Sequence, residues 1–253
     1  MNRPKLVRLL FILGPALLLT FQLFQEPSFD RPHKIQIALR ALVPPMGFIY
    51  QYIDFNQKNA LSKWEEKVFQ GKVTYWIEFQ NSSGFVHSLS KGTSSAIFYK
   101  IKYKIADYPF ISWKWHVAKF PDKRNVTDLK KRDDFAARFY IVFLSKFFTN
   151  FRCVEYVWDE SLKEGTMMES PYTNQIKQIV VQSGPSAPGE WILETRNVFE
   201  DYEKLFGEKP SMKVAAIAIM SDSEGTGTEA EAFFDDIRIG KSAAPHTKIK
   251  GVS

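Results

Sequence analysis

Cysteine is almost missing from this chain: Cys153 is the single one among 253 residues. An internal disulfide is excluded, and so is a zinc site built on paired cysteines. Histidine is nearly as scarce. His33, His87, His116 and His246 are the whole set, and none stands at metal-ligand spacing or beside a nucleophile motif. No cofactor and no metal are expected from this inventory; Asp222, Glu224 and Glu229 offer oxygens of the kind calcium takes, but their spacing does not match an EF-hand. Gly184-Pro185-Ser186-Ala187-Pro188 lacks the second glycine that a nucleophile elbow needs. A basic face is missing as well. Residues 35–240 hold 26 basic and 26 acidic side chains, and the net +6 comes from the two ends. Nucleic acid is therefore not an expected partner.

What is present is apolar and aromatic, at 45% and 15% of residues, ample for one large core. The N-terminus adds a separate signal. Arg3, Lys5 and Arg8 precede an apolar run from Leu9 to Phe24. That is the charged start and apolar centre of an export signal. As a helix the run would reach roughly 24 Å, slightly short of a bilayer core of about 30 Å. No small-residue cleavage site follows it, so residues 1–30 read first as an uncleaved anchor and second as a cleaved signal peptide. Either way the bulk of the chain is expected outside the cytoplasm. Residues 31–54 read as a linker with a helical segment, 55–240 as the folded domain, and 241–253 as a flexible basic tail.

The domain reads as β. Candidate strands are Val73–Phe79, Phe85–Leu89, Ala96–Ile105, Phe110–Val117, Phe135–Leu144, Cys153–Trp158, Gln175–Gln182, Trp191–Arg196, Val214–Met220 and Ala232–Ile239. Turn-prone clusters such as Asn81-Ser82-Ser83-Gly84 divide them. Ile111, Trp113, Trp115 and Val117 alternate with Ser112, Lys114 and His116, the pattern of a strand with one face inward. This predicts an antiparallel β-sandwich of jelly-roll type. One short helix is expected near 197–206, capped by Asn197, carrying Glu200 at its third position and ended by Gly207.

Asp133-Asp134-Phe135-Ala136-Ala137-Arg138 opens the strand Phe135–Leu144. Regular alternation puts Asp134, Arg138 and Tyr140 on one face, and Asp133, Phe135, Phe139, Ile141 and Phe143 on the other. A buried arginine must be paired, so Arg138 belongs either to a structural ion-pair network or to a ligand site. Its partners are expected on neighbouring strands.

Several motifs occur in order: Trp113-Lys114-Trp115, Asp133–Arg138, Tyr156-Val157-Trp158, Ser170-Pro171-Tyr172, Arg196–Tyr202, Phe206–Pro210, Ala216–Asp222 and Phe234–Ile237. Together they resemble the bacterial family of unknown function DUF3047, over roughly Phe55 to Ile239. The resemblance implies an envelope-associated protein and confers no catalytic residues. Ala232–Ile239 is also similar to the last strand of galactose-binding-like jelly rolls, common as carbohydrate-binding modules. The loop Ser223–Gly227 departs from the family pattern, in which another acid and an asparagine are expected.

The candidate ligand-binding residues are Asp134, Arg138, Tyr140, Glu194, Arg196, Asp201 and Asp222, with Trp113 and Trp158 as stacking rings in a platform that Trp115 and Trp191 could extend. For the tryptophans, core packing is the competing reading. Non-catalytic binding of a glycan or other cell-surface ligand is the first expectation. The alternatives are an enzyme acting on envelope polysaccharide through carboxylates among Asp134, Glu194, Asp201 and Asp222, and a structural scaffold. The expected location is the inner membrane facing the periplasm, or the periplasm itself if the N-terminal segment is cleaved.

Overall fold

A computed structural model describes residues 49–145 and 150–243. The expected anchor, most of the linker and the tail from residue 244 lie outside the described residues. Among the described residues, no helix is long and apolar enough to cross a membrane.

Strands in chain order are β1 (Ile49–Ile53), β2 (Trp64–Gln70), β3 (Thr74–Gln80), β4 (Ser83–Lys91), β5 (Ser94–Tyr103), β6 (Phe110–Lys119), β7 (Ala137–Leu144), β8 (Phe151–Asp159), β9 (Met167–Ser170), β10 (Thr173–Ser183), β11 (Ile192–Asn197), β12 (Lys213–Asp222) and β13 (Glu229–Gly240). They form two sheets. Sheet A runs β11-β6-β13-β4-β3, with β1 also pairing with β13; sheet B runs β2-β5-β12-β7-β8-β10-β9. The expected two-sheet, mainly β architecture is present. One detail differs: β10 pairs with β8 in parallel, so sheet B is mixed. Residues 160–172, including β9, lie between these strands, enough chain for the return that a parallel pair requires.

Three strands were not expected. Ile49–Ile53, assigned to the linker from sequence, pairs with β13. β2 carries Glu65, Glu66 and Lys67 in an edge strand, where charge is tolerated because one side faces solvent. β9 has only four residues.

The helix α1 (Val198–Phe206) is where the punctuation put it. The Asn197 side chain accepts from the Glu200 backbone N–H and donates to the Glu200 carboxylate. Gly207 closes the helix in the left-handed conformation, φ 70°.

The main core lies between the sheets. Trp113 and Trp115 of β6 and Phe234 of β13 meet Phe139, Ile141 and Phe143 of β7 and Tyr156 and Trp158 of β8. Trp113 stacks on Phe139 with centroids 4.4 Å apart. Burial of each large apolar side chain here contributes about 1.5–3 kcal/mol. A second apolar layer, with Phe98, Tyr140, Val142, Cys153 and Met220, covers the other face of sheet B. β7 and β8 are thus buried on both faces, which suits their near-continuous apolar sequence.

Candidate functional site

Arg138 stands on the outer face of sheet B, on the same side of β7 as Tyr140. Its Nε donates to Asp222 Oδ1 at 2.7 Å and its Nη2 to Asp222 Oδ2. Its Nη1 donates to Glu155 Oε1 at 2.7 Å. These partners come from β12 and β8, the strands flanking β7. The Asp133 carbonyl accepts from Nη2, and the Asp133 carboxylate lies 3.6 Å from Nη1. Gln178 on β10 bridges Asp133 and Glu155. Asp134 accepts from the backbone of Gly225 and Thr226, pinning the loop after β12.

The expected separation of Asp133 from Arg138 does not hold. β7 begins at Ala137, so strand alternation does not apply to Asp133, Asp134 or Phe135. Both acids join the cluster. Five carboxylates, on Asp133, Asp134, Glu155, Asp222 and Glu224, gather around one guanidinium. Burial raises the carboxyls of Asp133, Glu155 and Asp222, against the pull of Arg138. Burial, together with the charge of Asp134, pushes Glu224 up to about 7. Arg138 is 3% exposed and Asp222 1%, and the adjoining cavity holds about 30 Å³. This is room for water-sized guests, not for a sugar ring.

The other candidates lie elsewhere. Arg196 clasps Asp201 through Nε and Nη2 at 2.9 and 2.7 Å, and Tyr156 donates to the same carboxylate at 2.9 Å. Tyr156 faces the inter-sheet core, so Asp201 lies across sheet B from Arg138. Glu194 on β11 accepts from Gln182 on β10 at 2.7 Å, and burial pushes its carboxyl up to about 7. Asp134 and Asp222 come together; Glu194 and Asp201 do not join them. Trp113 and Trp158 are 0% and 1% exposed, so neither has a face to offer a ligand.

The outer face of sheet A carries a different arrangement. Cross-strand register aligns Trp76 of β3 with His87 of β4, His87 with Phe233 of β13, and Phe233 with His116 of β6. Ring centroids are 3.8, 4.2 and 5.4 Å apart along this row. Trp191, just before β11, completes it. His116 Nδ1 donates to the Glu190 carbonyl at 3.0 Å, which holds the backbone beside Trp191. The four register-aligned rings span β3 to β6, about 14 Å at the usual strand spacing.

Trp191 does not stand upright in this row. Its ring centroid lies 5.3 Å from Phe85 on β4, although β6 and β13 separate β11 from β4. Backbones three strands apart are about 14 Å distant, so the indole must reach across the sheet. It meets Phe85 at 67° and Phe233 at 59°, and it is only partly buried. Carboxylates flank the row. Glu78 Oε2 lies 2.5 Å from His87 Nδ1, and Glu231 Oε1 lies 2.7 Å from His87 Nε2. Asp235, raised to about 7 mainly by burial, is on the same sheet.

Sequence reasoning missed Glu155, Gln178 and the assembly of this aromatic row; Glu224 was noted only as an oxygen donor beside Asp222, and Trp191 only as one of four tryptophans. Glu155 left a readable sign: a carboxylate in the otherwise apolar run from Cys153 to Trp158. The row as a whole left none, because its members are spread over five segments and only strand register brings them together.

No curated protein matches the chain. Solved structures match at a distance. Endoglucanase Cel12A from Rhodothermus marinus is 10% identical, with a TM-score of 0.41, covering 78% of this chain and 99% of its own. A mannan-recognising carbohydrate-binding module, TmCBM27, is 8% identical with a TM-score of 0.35, covering 77% and 97%. The K3 adhesin domain of Lys-gingipain from Porphyromonas gingivalis W83 is 12% identical with a TM-score of 0.37, covering 76% and 99%. The family model described as "Protein of unknown function (DUF3047)" matches residues 62–238, most of the chain, and the protein belongs to that family.

Proposed function

We propose that this protein binds a carbohydrate chain on the outer face of sheet A, without catalysing a reaction on it. The observation that carries this reading is the pose of Trp191, partly exposed and laid across the rings of Phe85, Phe233 and His116. The negative face of an indole attracts the C–H groups on one side of a sugar ring. Glu78, Glu231 and His116 supply hydrogen-bonding groups for hydroxyls beside it. The acidic flank disfavours phosphate-bearing ligands, which suits a neutral polymer.

The hydrolytic alternative fits less well. A glycosidase needs two carboxylates with the scissile bond between them. Glu78 and Glu231 approach from opposite sides, but the imidazole of His87 fills the space between them.

The proposal includes export, on the strength of the cationic start and apolar run of residues 1–24. The expected site of action is the bacterial envelope, anchored at the inner membrane or free in the periplasm. We also read the sandwich as a galactose-binding-like jelly roll, because successive strands from β4 to β7 and from β11 to β13 alternate between the sheets. A panel of immobilised neutral and acidic polysaccharides tests the function. Retention on at least one of them supports it; failure on all of them refutes it.

A further inference from the structure

We infer that Asp134, Asp222 and Glu224, together with the Ser94 hydroxyl, form a binding site for a calcium ion. The carboxylate oxygens of the three acids lie within 4.8 Å of one another. Calcium binds oxygen at about 2.3–2.6 Å, so ligands on opposite sides of it lie about 4.6–5.2 Å apart. Magnesium, at about 2.0–2.1 Å, spans less and keeps more of its water, for which this enclosure has little space. An all-oxygen donor set excludes the softer metals as first choice.

Unpaired polar atoms point to the same place. Ser94 is 0% exposed, and its Oγ makes no hydrogen bond. Ser94 pairs directly with Asp222 across β5 and β12, so both side chains leave the sheet on one face. It also stands beside Glu224. Glu224 Oε2 is buried without a partner too. A buried polar atom left unpaired costs about 1–3 kcal/mol, and a cation would satisfy both.

Charge points the same way. The five carboxylates around Arg138 exceed its single positive charge by four when all are ionised. Lys123, whose charge also acts on Asp133, is engaged by Asp159 at 2.7 Å and Glu160 at 3.1 Å. A divalent ion would halve that excess. It would also join the start of β5, the segment before β7 and the loop after β12. That loop is built for close approach: a Cβ on Gly225 would sit 2.5 Å from the Lys131 carbonyl oxygen.

The test uses the full chain, stripped with chelator and titrated with calcium alone or magnesium alone. Bound calcium is counted by atomic absorption after dialysis, and melting is followed by circular dichroism. The expected result is one calcium per chain and a melting temperature raised by about 5 °C at saturation. Glu224→Gln should lose the ion and the shift, and Ser94→Ala should weaken calcium binding about tenfold. No retained calcium and no shift at millimolar concentration would overturn the inference. So would a Glu224→Gln protein that keeps the wild-type response, or magnesium acting as strongly as calcium. The count on wild-type protein stands even if a variant fails to fold.

Discussion

Arg138 and Asp222 meet diagonally across the β7–β12 pair, where Arg138 stands opposite Met220, and bond through two guanidinium nitrogens, with both side chains sealed from water. The bidentate geometry fixes the register of the two central strands of sheet B. Glu155 extends the tie to β8. The buried network is thus chiefly a structural device of sheet B, while the surface open to a large ligand is on sheet A.

Removing the guanidinium strands its carboxylates. Arg138→Met should cost about 3–5 kcal/mol, because Asp222 and Glu155 would remain buried and unpaired. Arg138→Lys should recover only part of this, since an ammonium cannot bond both Asp222 oxygens and Glu155 in the same planar geometry. Urea denaturation at pH 7 measures both. A loss below about 1 kcal/mol for Arg138→Met would show that the network holds little together.

The tryptophans divide into two kinds. Trp113→Ala removes a fully buried ring stacked on Phe139 and should cost about 3–5 kcal/mol. Trp191→Ala should cost far less, about 1 kcal/mol, and leave the far-ultraviolet spectrum unchanged. Thermal melts of the two variants, side by side, check the contrast.

Glu194 provides a pH signature. Burial raises its folded-state value to about 7, against about 4.5 for the free side chain. The folded protein therefore holds this proton more tightly than the unfolded chain does. Its contribution is complete below about pH 4.5 and is lost as pH rises through 7, by about 3 kcal/mol at most. Glu194→Gln should flatten stability across that window and make the protein more stable than wild type at pH 8. Denaturant midpoints between pH 4.5 and 8 provide the measurement. A steeper rather than flatter profile would contradict the assignment.

The Asp134 loop should resist enlargement. Gly225→Ala places a methyl 2.5 Å from the Lys131 carbonyl, so backbone must shift and stability should fall by about 1–3 kcal/mol. Gly189→Ala, whose Cβ meets nothing within 4 Å, serves as a comparison for its positive φ alone. The denaturation midpoints of the two variants should separate the cost of steric contact from that of backbone strain.

Much of the fold was legible because it rests on local pattern. The alternation from Ile111 to Val117 correctly sent Trp113 and Trp115 inward, and Asn197, Glu200 and Gly207 marked both ends of α1. Arg138, an arginine among apolar neighbours, announced its buried pairs on adjacent strands. What failed was non-local or began at least two residues too early. Alternation was carried back through Asp133 and Asp134, which precede the strand. The parallel β8–β10 pairing and the Trp76–His87–Phe233–His116 row depend on register between distant segments, which no single strand encodes.

The most direct measurement of the central claim is calorimetric titration of the full chain with a polysaccharide it retains, comparing wild type with Trp191→Ala. A sheet A site predicts at least tenfold weaker binding for the variant, with a melting temperature lowered by no more than about 4 °C. Equal affinity in the two proteins would contradict it.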